Sequence, residues 1–463
     1  MRALSLWAVL FAAYAATLGI GAFRDSRYGG DEPHYLLAAE SLVSDGDFDL
    51  RDEYASRAYA GFYPYTLAPD GQLTLGRRHE PHGIGFPVLI APAYALGGAT
   101  LVQLVLAAIA ALGFVLAALL ARRIVPEPWP TAAALLTGLS PPALAYGATV
   151  YPELVAGTLL AGAALAALAL RDRPRLHFAI GGAVLLALLP WLGPKYALAA
   201  LPVAVMLVRW TARRGRRLAA IATAEVMLGS LVFYFSLNDR FFGGLTPYSA
   251  NAAGDSPTGA EVPLDYVDRL PRLAALWIDR DYGLLRWAPV FALSFFAAWL
   301  LWRSHRSLVA RLAPERLDAE VAASLLLAIC VGQVLAAAFV APTAAGDWFP
   351  GRQLVAALPA AAALAAWGLR RAPRTGAVLG ALTLLAGAWL AGGLAADSVD
   401  GWIGAPASTA PWGPAERLLP LYAGDSPWPD IASALLAAGL LALLAWEWWR
   451  WRSDTPAGAY FRD

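Results

Sequence analysis

Residues 100–123 read TLVQLVLAAIAALGFVLAALLARR. Residues 100–121 carry no charge, and Arg122 and Arg123 follow at once. A helix of about 20 apolar residues is long enough to cross the hydrocarbon core of a bilayer. The rest of the chain has the same character, because 59% of its residues are hydrophobic and only 15% are charged, with a mean hydropathy of +0.53. The stretch therefore predicts a membrane-spanning helix in an all-α polytopic membrane protein.

Similar apolar stretches recur along the chain, and together they predict about twelve membrane-spanning helices. The predicted spans cover residues 3–23, 100–121, 130–149, 152–170, 177–191, 195–210, 218–237, 284–302, 321–341, 354–370, 376–395 and 431–449. The first of them is longer than the apolar part of a typical secretory signal and has one basic residue before it. We interpret it as a span that is kept in the mature protein.

Arginine clusters separate these spans in a regular order. They are Arg122/Arg123, Arg171/Arg173/Arg175, Arg213/Arg214/Arg216/Arg217, Arg303/Arg306, Arg370/Arg371/Arg374 and Arg450/Arg452. Every cluster follows an even-numbered span. Because short loops rich in basic residues mark the cytoplasmic side, the pattern predicts that both termini are cytoplasmic.

The long loops fall on the opposite, outer side of the predicted topology. They cover residues 24–99, 238–283 and 396–430 of a single transmembrane domain that spans residues 1–463. Within the first loop, residues 33–43 and 84–96 are apolar enough to form helices but too short to span comfortably. We expect both to lie at the outer membrane interface.

Several function classes are disfavoured by the composition. The formal net charge is only +1, so no nucleic-acid partner is predicted. Cys330 is the only cysteine, which excludes an internal disulfide and a cysteine-based metal cluster. The short cytoplasmic turns contain no glycine-rich phosphate loop, so a nucleotide-dependent activity is not expected there.

The densest polar motif of the chain follows the first span and reads Gly30-Asp31-Glu32-Pro33-His34-Tyr35. Asp31 stands just before a proline that suits the first turn of a helix, so it could simply cap that helix. A carboxylate at a water–lipid boundary also suits a general base that acts on a water-soluble acceptor. Helix capping and catalysis both remain open for Asp31 from these residues alone.

A second polar cluster, Arg77-Arg78-His79-Glu80-Pro81-His82-Gly83, ends the same loop. Arg78, His79, Glu80 and His82 are candidates to bind phosphate, sugar hydroxyls or a divalent metal. Their spacing matches no known metal motif, so no metal ligand is predicted, although a divalent metal is left open as a cofactor. The alternative is a solvated loop at the lipid headgroups.

Four further candidates lie at predicted outer ends of spans: Glu153, Lys195, Asp281 and Arg352. Glu153 could cap a helix or line a cavity. Lys195, the only lysine of the chain, could neutralise a lipid-linked phosphate or reach into the headgroups. Arg352 suits a phosphate, but it could also be an interface anchor beside the aromatic pair Trp348 and Phe349.

The motifs together resemble the GT-C superfamily of polyprenyl-phosphate-dependent glycosyltransferases, in the style of bacterial relatives of protein O-mannosyltransferases and of the lipid A aminoarabinose transferase. The resemblance is carried by residues 30–35, 80–83, 151–153, 190–195, 281–285 and 351–359. It covers most of the chain, although each motif alone is degenerate. It implies a GT-C fold with interfacial helices in the first outer loop.

The resemblance also implies a function. A sugar would move from a polyprenyl-phosphate donor, with inversion, to a glycan, lipid or protein acceptor outside the bacterial cytoplasmic membrane. It assigns the general base to Asp31 and a supporting carboxylate to Glu32, while Lys195 and Arg352 would hold the leaving phosphate. The other candidates are expected to bind substrate: His34, Tyr35, Arg78, His79, Glu80, His82, Glu153 and Asp281.

Two other functions remain open from the sequence. A transporter or lipid flippase would carry ionisable residues deep within its spans, and Glu225 in the predicted span 218–237 is the main hint of this kind. A non-catalytic membrane assembly factor would not require the polar clusters on the outer side. The concentration of acidic and basic motifs near Asp31 favours the glycosyltransferase.

Overall fold

Helices make up most of the chain, as the apolar stretches predict. The computed structural model describes residues 2–74, 76–213, 216–250, 260, 262–305, 314–344, 346–422 and 427–453. Its α-helices are α1 (Ala3–Ala16), α2 (Glu32–Ser44), α3 (Arg51–Ser56), α4 (Gly85–Ala121), α5 (Trp129–Gly138), α6 (Pro141–Ala148), α7 (Glu153–Asp172), α8 (Leu176–Ala187), α9 (Leu189–Leu192), α10 (Ala197–Ala212), α11 (Arg217–Phe242), α12 (Asp265–Asp268), α13 (Arg272–Ile278), α14 (Leu284–Trp287), α15 (Ala292–His305), α16 (Pro314–Leu335), α17 (Leu358–Arg371), α18 (Pro373–Ala395), α19 (Ala405–Ser408) and α20 (Trp428–Ser453). Short 3₁₀ turns cover Ala58–Gly61, Pro194–Tyr196, Pro247–Ala250, Pro289–Phe291, Arg352–Ala357 and Gly413–Leu418, and a π-helical turn covers Ala336–Val340.

The described part of the chain contains one small hairpin, in the first long loop. Its strands β1 (Leu73–Thr74) and β2 (Arg77–Arg78) are antiparallel and pair Leu73 with Arg78. The hairpin connects α3 to the polar cluster before α4. The all-α fold class is thus confirmed, with this hairpin as a local feature of the loop.

Among the described residues, eight helices are long and apolar enough to cross a membrane. Three shorter apolar helices, Ala3–Ala16, Leu176–Leu192 and Pro289–Ser304, match further predicted spans. The protein is therefore a multi-pass membrane protein, but the count of twelve is not confirmed. The predicted span 130–149 is divided into α5 and α6, because Ser140 is extended and the pair Pro141-Pro142 restarts the helix.

The predicted helix at residues 84–96 forms the first part of α4 and is joined to the span that follows it. A kink at Gly97 and Gly98 divides the two parts. Gly98 has φ +60° and ψ −162°, a conformation that a residue with a side chain rarely adopts. The second predicted loop helix, residues 33–43, is present as α2.

The centre of the helix bundle is formed by α4, α7 and α17. About 83% of the apolar window that contains α17 is buried, against 11% for α20, which therefore presents its leucines outward. Six of the 14 residues of α17 are alanines, which allow close approach of its neighbours. At Gly368 an added Cβ would lie 2.6 Å from the main-chain oxygen of Leu293. The helices at the centre of the bundle therefore pack with their backbones close together.

Arginine-bearing loops gather at one end of the bundle. Arg123, after α4, pairs with Asp172 at the end of α7. Arg171 Nη2 lies 2.5 Å from Asp318 Oδ1 in α16. Helix α7 begins at Glu153 and ends at Asp172, a length of about 30 Å at 1.5 Å per residue. Its two ends are therefore separated by about the hydrocarbon thickness of a bilayer.

Candidate active site

A polar cavity lies at the end of the bundle opposite the arginine-bearing loops, around the first residues of α7. Its empty volume is about 900 Å³, which includes the part open to solvent. The polar residues of its lining include Asp31, His82, Tyr248, Lys195 and Arg352. The cavity therefore brings together groups from five separate parts of the sequence.

The guanidinium of Arg352 is the centre of the charged network. It donates from Nη2 to Asp31 Oδ2 at 2.5 Å and from Nε to Glu153 Oε1 at 2.9 Å. Its Cζ lies 4.4 Å from the Tyr151 ring centroid and 4.7 Å from that of Trp348. The Arg352 side chain is only 6% exposed. A planar cation between two rings is held in one orientation while it bridges two carboxylates.

Lys195 joins the same network through Glu153. Its Nζ donates to Glu153 Oε1 at 2.8 Å, the oxygen that also accepts from Arg352. Glu153 is fully buried at the start of α7, and its second oxygen has no hydrogen-bond partner among the described residues. Two cations therefore converge on one carboxylate oxygen at the cavity wall.

Asp31 occupies the N-cap position of α2, but its side chain makes no capping hydrogen bond. Its carboxylate pairs with Arg352 instead. The loop that carries Asp31 packs closely at Gly30, which has a φ of +57°. A Cβ added at Gly30 would lie 2.6 Å from both the main-chain oxygen of Asp347 and the hydroxyl of Tyr151. The capping interpretation thus does not explain the Asp31 side chain, which faces the cavity.

The pKa of Asp31 is set by two opposing effects. Burial alone would raise it, but the Arg352 guanidinium, with help from His82 and His34, holds the pKa of Asp31 well below its usual range. Asp31 is therefore ionised at neutral pH. An ionised carboxylate can accept a proton from a bound acceptor.

Glu32, the neighbouring carboxylate, is buried and binds main-chain groups. Its Oε1 accepts the N–H of Val150 at 2.7 Å, and its Oε2 accepts the N–H of Gly29 at 3.1 Å. Burial raises the pKa of Glu32 to about 7 despite these bonds. Glu32 therefore fixes the Asp31 loop against the segment before α7 and does not line the cavity.

We expect Glu32→Gln to lower thermal stability more than it lowers transfer per folded molecule. An amide can accept only one of the two N–H groups, and an unpaired buried donor costs about 1–3 kcal/mol. The checks are a melting curve of the purified protein in detergent and an activity assay normalised to folded protein. A variant with unchanged melting but lost activity would assign Glu32 to the chemistry instead.

Beside Asp31 lies a second cluster of polar groups. The Tyr54 hydroxyl donates to Glu80 Oε1 at 2.6 Å and lies 3.0 Å from His34 Nδ1. His34 Nε2 and His82 Nε2 lie 3.5 and 3.4 Å from Asp70 Oδ2. Burial would lower the pKa of His82, but the carboxylates of Asp31, Asp70 and Glu80 raise it above its usual value.

This second cluster has donor atoms suited to a divalent metal. One ligand atom from each of His34, Asp70, Glu80 and His82 lies within 4.8 Å of the others. Two imidazoles and two carboxylates are ligands that Zn²⁺ and related metals accept. The four residues therefore fit a metal by donor chemistry, although no metal motif was apparent from the spacing.

The remaining sequence candidates take different positions. Tyr35 lines the cavity, and its ring packs 4.8 Å from Phe86. Arg78 donates to the Gly71 oxygen, and His79 Nδ1 lies 2.7 Å from the Phe48 oxygen, so both bind the loop itself. Asp281 is exposed and is not part of the cavity lining.

Sequence reasoning missed several residues of the site. Tyr54, Asp70 and Tyr248 lie in polar loops, where a single Tyr or Asp carries no local signal. Tyr151 belongs to the motif at residues 151–153 but was not a site candidate, and Trp348 suits an aromatic belt at the membrane interface. The structure places Trp348 in the cavity wall against Arg352.

Comparison with known proteins was informative only at the level of structure. No protein-family model matches the sequence, and no curated protein matches it. The structure is similar to that of ArnT from Cupriavidus metallidurans in the apo state, with a TM-score of 0.50 and 16% identity. That match covers 88% of this chain and 68% of ArnT. The expected GT-C type of fold is thereby confirmed.

Two further solved structures are similar at lower scores. ArnT from C. metallidurans bound to undecaprenyl phosphate matches with a TM-score of 0.47 and 16% identity, over 84% of this chain and 65% of ArnT. The Archaeoglobus fulgidus oligosaccharyltransferase in complex with Zn and sulfate matches with a TM-score of 0.42 and 13% identity, over 82% of this chain and 50% of that protein. This chain is thus shorter than each of these proteins.

Proposed function

We propose that this chain, with its GT-C type of fold, is a membrane glycosyltransferase. It transfers a sugar from a polyprenyl-phosphate donor to an acceptor on the outer side of the bacterial cytoplasmic membrane. The observation that carries the proposal is the cavity in which an ionised carboxylate, Asp31, lies beside two cations, Arg352 and Lys195. A base and a phosphate site in one cavity are what such a transfer requires.

Arg352 and Lys195 are the proposed ligands of the donor phosphate. A guanidinium has five N–H donors and an ammonium has three, and the internal network uses two Arg352 nitrogens and one bond from Lys195. Phosphate oxygens can therefore bind to the same cations without dismantling the pair with Glu153. Charge on the leaving phosphate is then stabilised where it develops.

Asp31 is the proposed general base. It takes a proton from an acceptor hydroxyl or amine, which bonds to the anomeric carbon while the bond from that carbon to the phosphate oxygen breaks. The polyprenyl phosphate leaves with the electron pair, and the configuration inverts. A phosphate that binds Arg352 also competes with Asp31 for the guanidinium, which makes Asp31 more basic when the donor is in place.

The outer-side orientation is supported by the two ends of α7. Glu153, which begins this helix, bonds to the cavity residues Arg352 and Lys195, whereas Arg171 near the other end belongs to the arginine-bearing loops. If those loops are cytoplasmic, as the distribution of basic residues predicts, the cavity faces outward. A lipid-linked donor suits that location, since it carries its own leaving group through the bilayer.

The cluster of His34, Asp70, Glu80 and His82 would hold a divalent metal if the enzyme uses one. A bound cation there would add positive charge near Asp31 and the acceptor. The transfer itself is derived from Asp31, Arg352 and Lys195 and requires no step through a metal. The hint of a transporter is weak, because Glu225 lies on the exposed face of α11.

The proposal is tested with the full chain reconstituted in proteoliposomes and labelled polyprenyl-phosphate sugars as donors. Extracts of cell-envelope glycans, lipids and proteins supply acceptors. Formation of a new glycosidic product supports the glycosyltransferase. Movement of the intact labelled lipid between leaflets without bond formation would instead establish a flippase.

Lys195→Met is expected to raise the KM for the donor about 10–100-fold, because a charge-assisted hydrogen bond is worth about 1.5–3 kcal/mol. The kcat should fall as well, because Lys195 also stabilises the charge that grows on the leaving phosphate, and arginine at this position should restore part of the affinity. Steady-state kinetics against donor concentration provide the measurement. Equal donor KM values for the wild type and Lys195→Met would remove Lys195 from the phosphate site.

A further inference from the structure

The carboxylate of Glu53 has an unusual environment, outside the cavity. Glu53 lies in α3 and is only 3% exposed. Both of its carboxylate oxygens are shielded from solvent and have no hydrogen-bond partner among the described residues. The hydroxyl of Ser41, a nearby donor, is directed to the Asp47 oxygen at 3.2 Å. A buried carboxylate without partners is costly unless it is protonated or bound to a cation.

Two other carboxylates approach Glu53. One oxygen from each of Asp45, Asp52 and Glu53 lies within 4.8 Å of the others. Asp45 is the C-cap residue of α2, and Asp52 belongs to the first turn of α3. Asp45 and Asp52 are exposed and can reach a cation from solvent, while Glu53 closes the inner side.

The donor set indicates the kind of cation. All three ligands are carboxylate oxygens, without the imidazole or thiolate that transition metals favour. Burial, with a smaller contribution from the Asp52 carboxylate, raises the pKa of Glu53 to about 7. Close carboxylates repel one another, and a divalent cation removes that repulsion.

We propose that Asp45, Asp52 and Glu53 form a binding site for a divalent cation with oxygen ligands, of the Ca²⁺ class. This site is separate from the cluster of His34, Asp70, Glu80 and His82, and it does not depend on the proposed sugar transfer. Water and main-chain oxygens complete the coordination, as is usual for Ca²⁺.

The site links α3 to α2, the helix whose Tyr35 lines the cavity. It lies where the end of α2 meets the start of α3. Tyr54, which follows Glu53, bonds to Glu80 and lies against His34. A cation that fixes α3 to α2 therefore holds the Tyr54 hydroxyl in position beside the second polar cluster. Its role is to order the first outer loop.

The test uses the full chain, purified in detergent and freed of metal with EDTA. Addition of Ca²⁺ should raise the melting temperature and show a Kd of about 10⁻⁴–10⁻³ M, the range of extracellular sites. Glu53→Gln and Asp52→Asn should each weaken binding by about tenfold or more, since ligand charge sets the affinity. Asp52 is exposed, so Asp52→Asn tests the site without a change to a buried residue.

Asp25→Asn is the matched control, because it removes an exposed carboxylate elsewhere in the same loop. It should bind Ca²⁺ as the wild type does. Without metal, Glu53→Gln should melt at a higher temperature than the wild type, because it removes the buried charge. The proposal is overturned by a wild-type protein that does not respond to Ca²⁺. It is equally overturned by a response that persists in Asp52→Asn but disappears in Glu80→Gln, which would assign the cation to the other cluster.

Discussion

Asp31→Asn is expected to reduce sugar transfer about 10²–10⁴-fold, the contribution typical of a positioned general base. Asparagine keeps the size of the side chain but cannot accept the proton from the acceptor. The Arg352 guanidinium still has Glu153 as a partner at 2.9 Å, so the fold should survive the change. The measurement is product formation under saturating donor and acceptor in proteoliposomes.

The pH dependence gives a second way to observe the same group. The pKa of Asp31 is held below its usual range by Arg352, against the effect of burial. Asp31 is therefore already ionised throughout neutral pH, and activity should not decline through loss of this base until the pH is acidic. The residual activity of Asp31→Asn should no longer show this decline at acidic pH, because the variant has no carboxylate to protonate.

Asp281→Asn is the control for Asp31→Asn. Asp281 was also a sequence candidate, yet it is exposed and lies outside the cavity lining. It should transfer sugar at nearly the wild-type rate. The assignment of the base would be contradicted by an Asp31→Asn enzyme that turns over like Asp281→Asn, or by activity that is lost only because the variant no longer melts cooperatively.

Sequence patterns indicate the main charged residues of the cavity, but not Asp70 or Tyr248 and not the contacts between them. Asp31, Glu153, Lys195 and Arg352 could each be found because an ionisable residue at the end of an apolar span requires an explanation. The ion pair between Asp31 and Arg352 joins positions 321 residues apart. No local pattern encodes such a pair, because it depends on how α2, α7 and the turn Arg352–Ala357 pack.

The helix count shows a different limit. Hydropathy shows where the chain is apolar, and a helix is present within each predicted span. Hydropathy does not show where a helix is interrupted. The sequence therefore predicts one helix at 130–149, although Pro141-Pro142 divides this segment into α5 and α6. Trp348 illustrates the same limit for side chains, since an aromatic residue at the end of a span suits a lipid interface and a cavity wall equally well.

Replacement of Arg352 is expected to affect both stability and donor binding. Arg352→Met leaves the buried Glu153 with Lys195 alone and leaves Asp31 without its cation, and removal of one partner from a buried pair typically costs about 3–5 kcal/mol. Arg352→Lys keeps the charge and should be milder. Its ammonium cannot stack as a plane between Tyr151 and Trp348 or bridge both carboxylates as the guanidinium does.

Arg286→Lys separates these two effects. Arg286 is also buried, at 3% side-chain exposure, pairs with Glu416 at 2.7 Å and lies against Trp287, but it is not part of the cavity lining. Both lysine variants should lower the melting temperature. Only Arg352→Lys should raise the donor KM, by about tenfold for the loss of one charge-assisted bond. If the two variants lost stability alike and kept the same donor KM, Arg352 would be a structural ion pair, and the phosphate would have to bind elsewhere in the cavity.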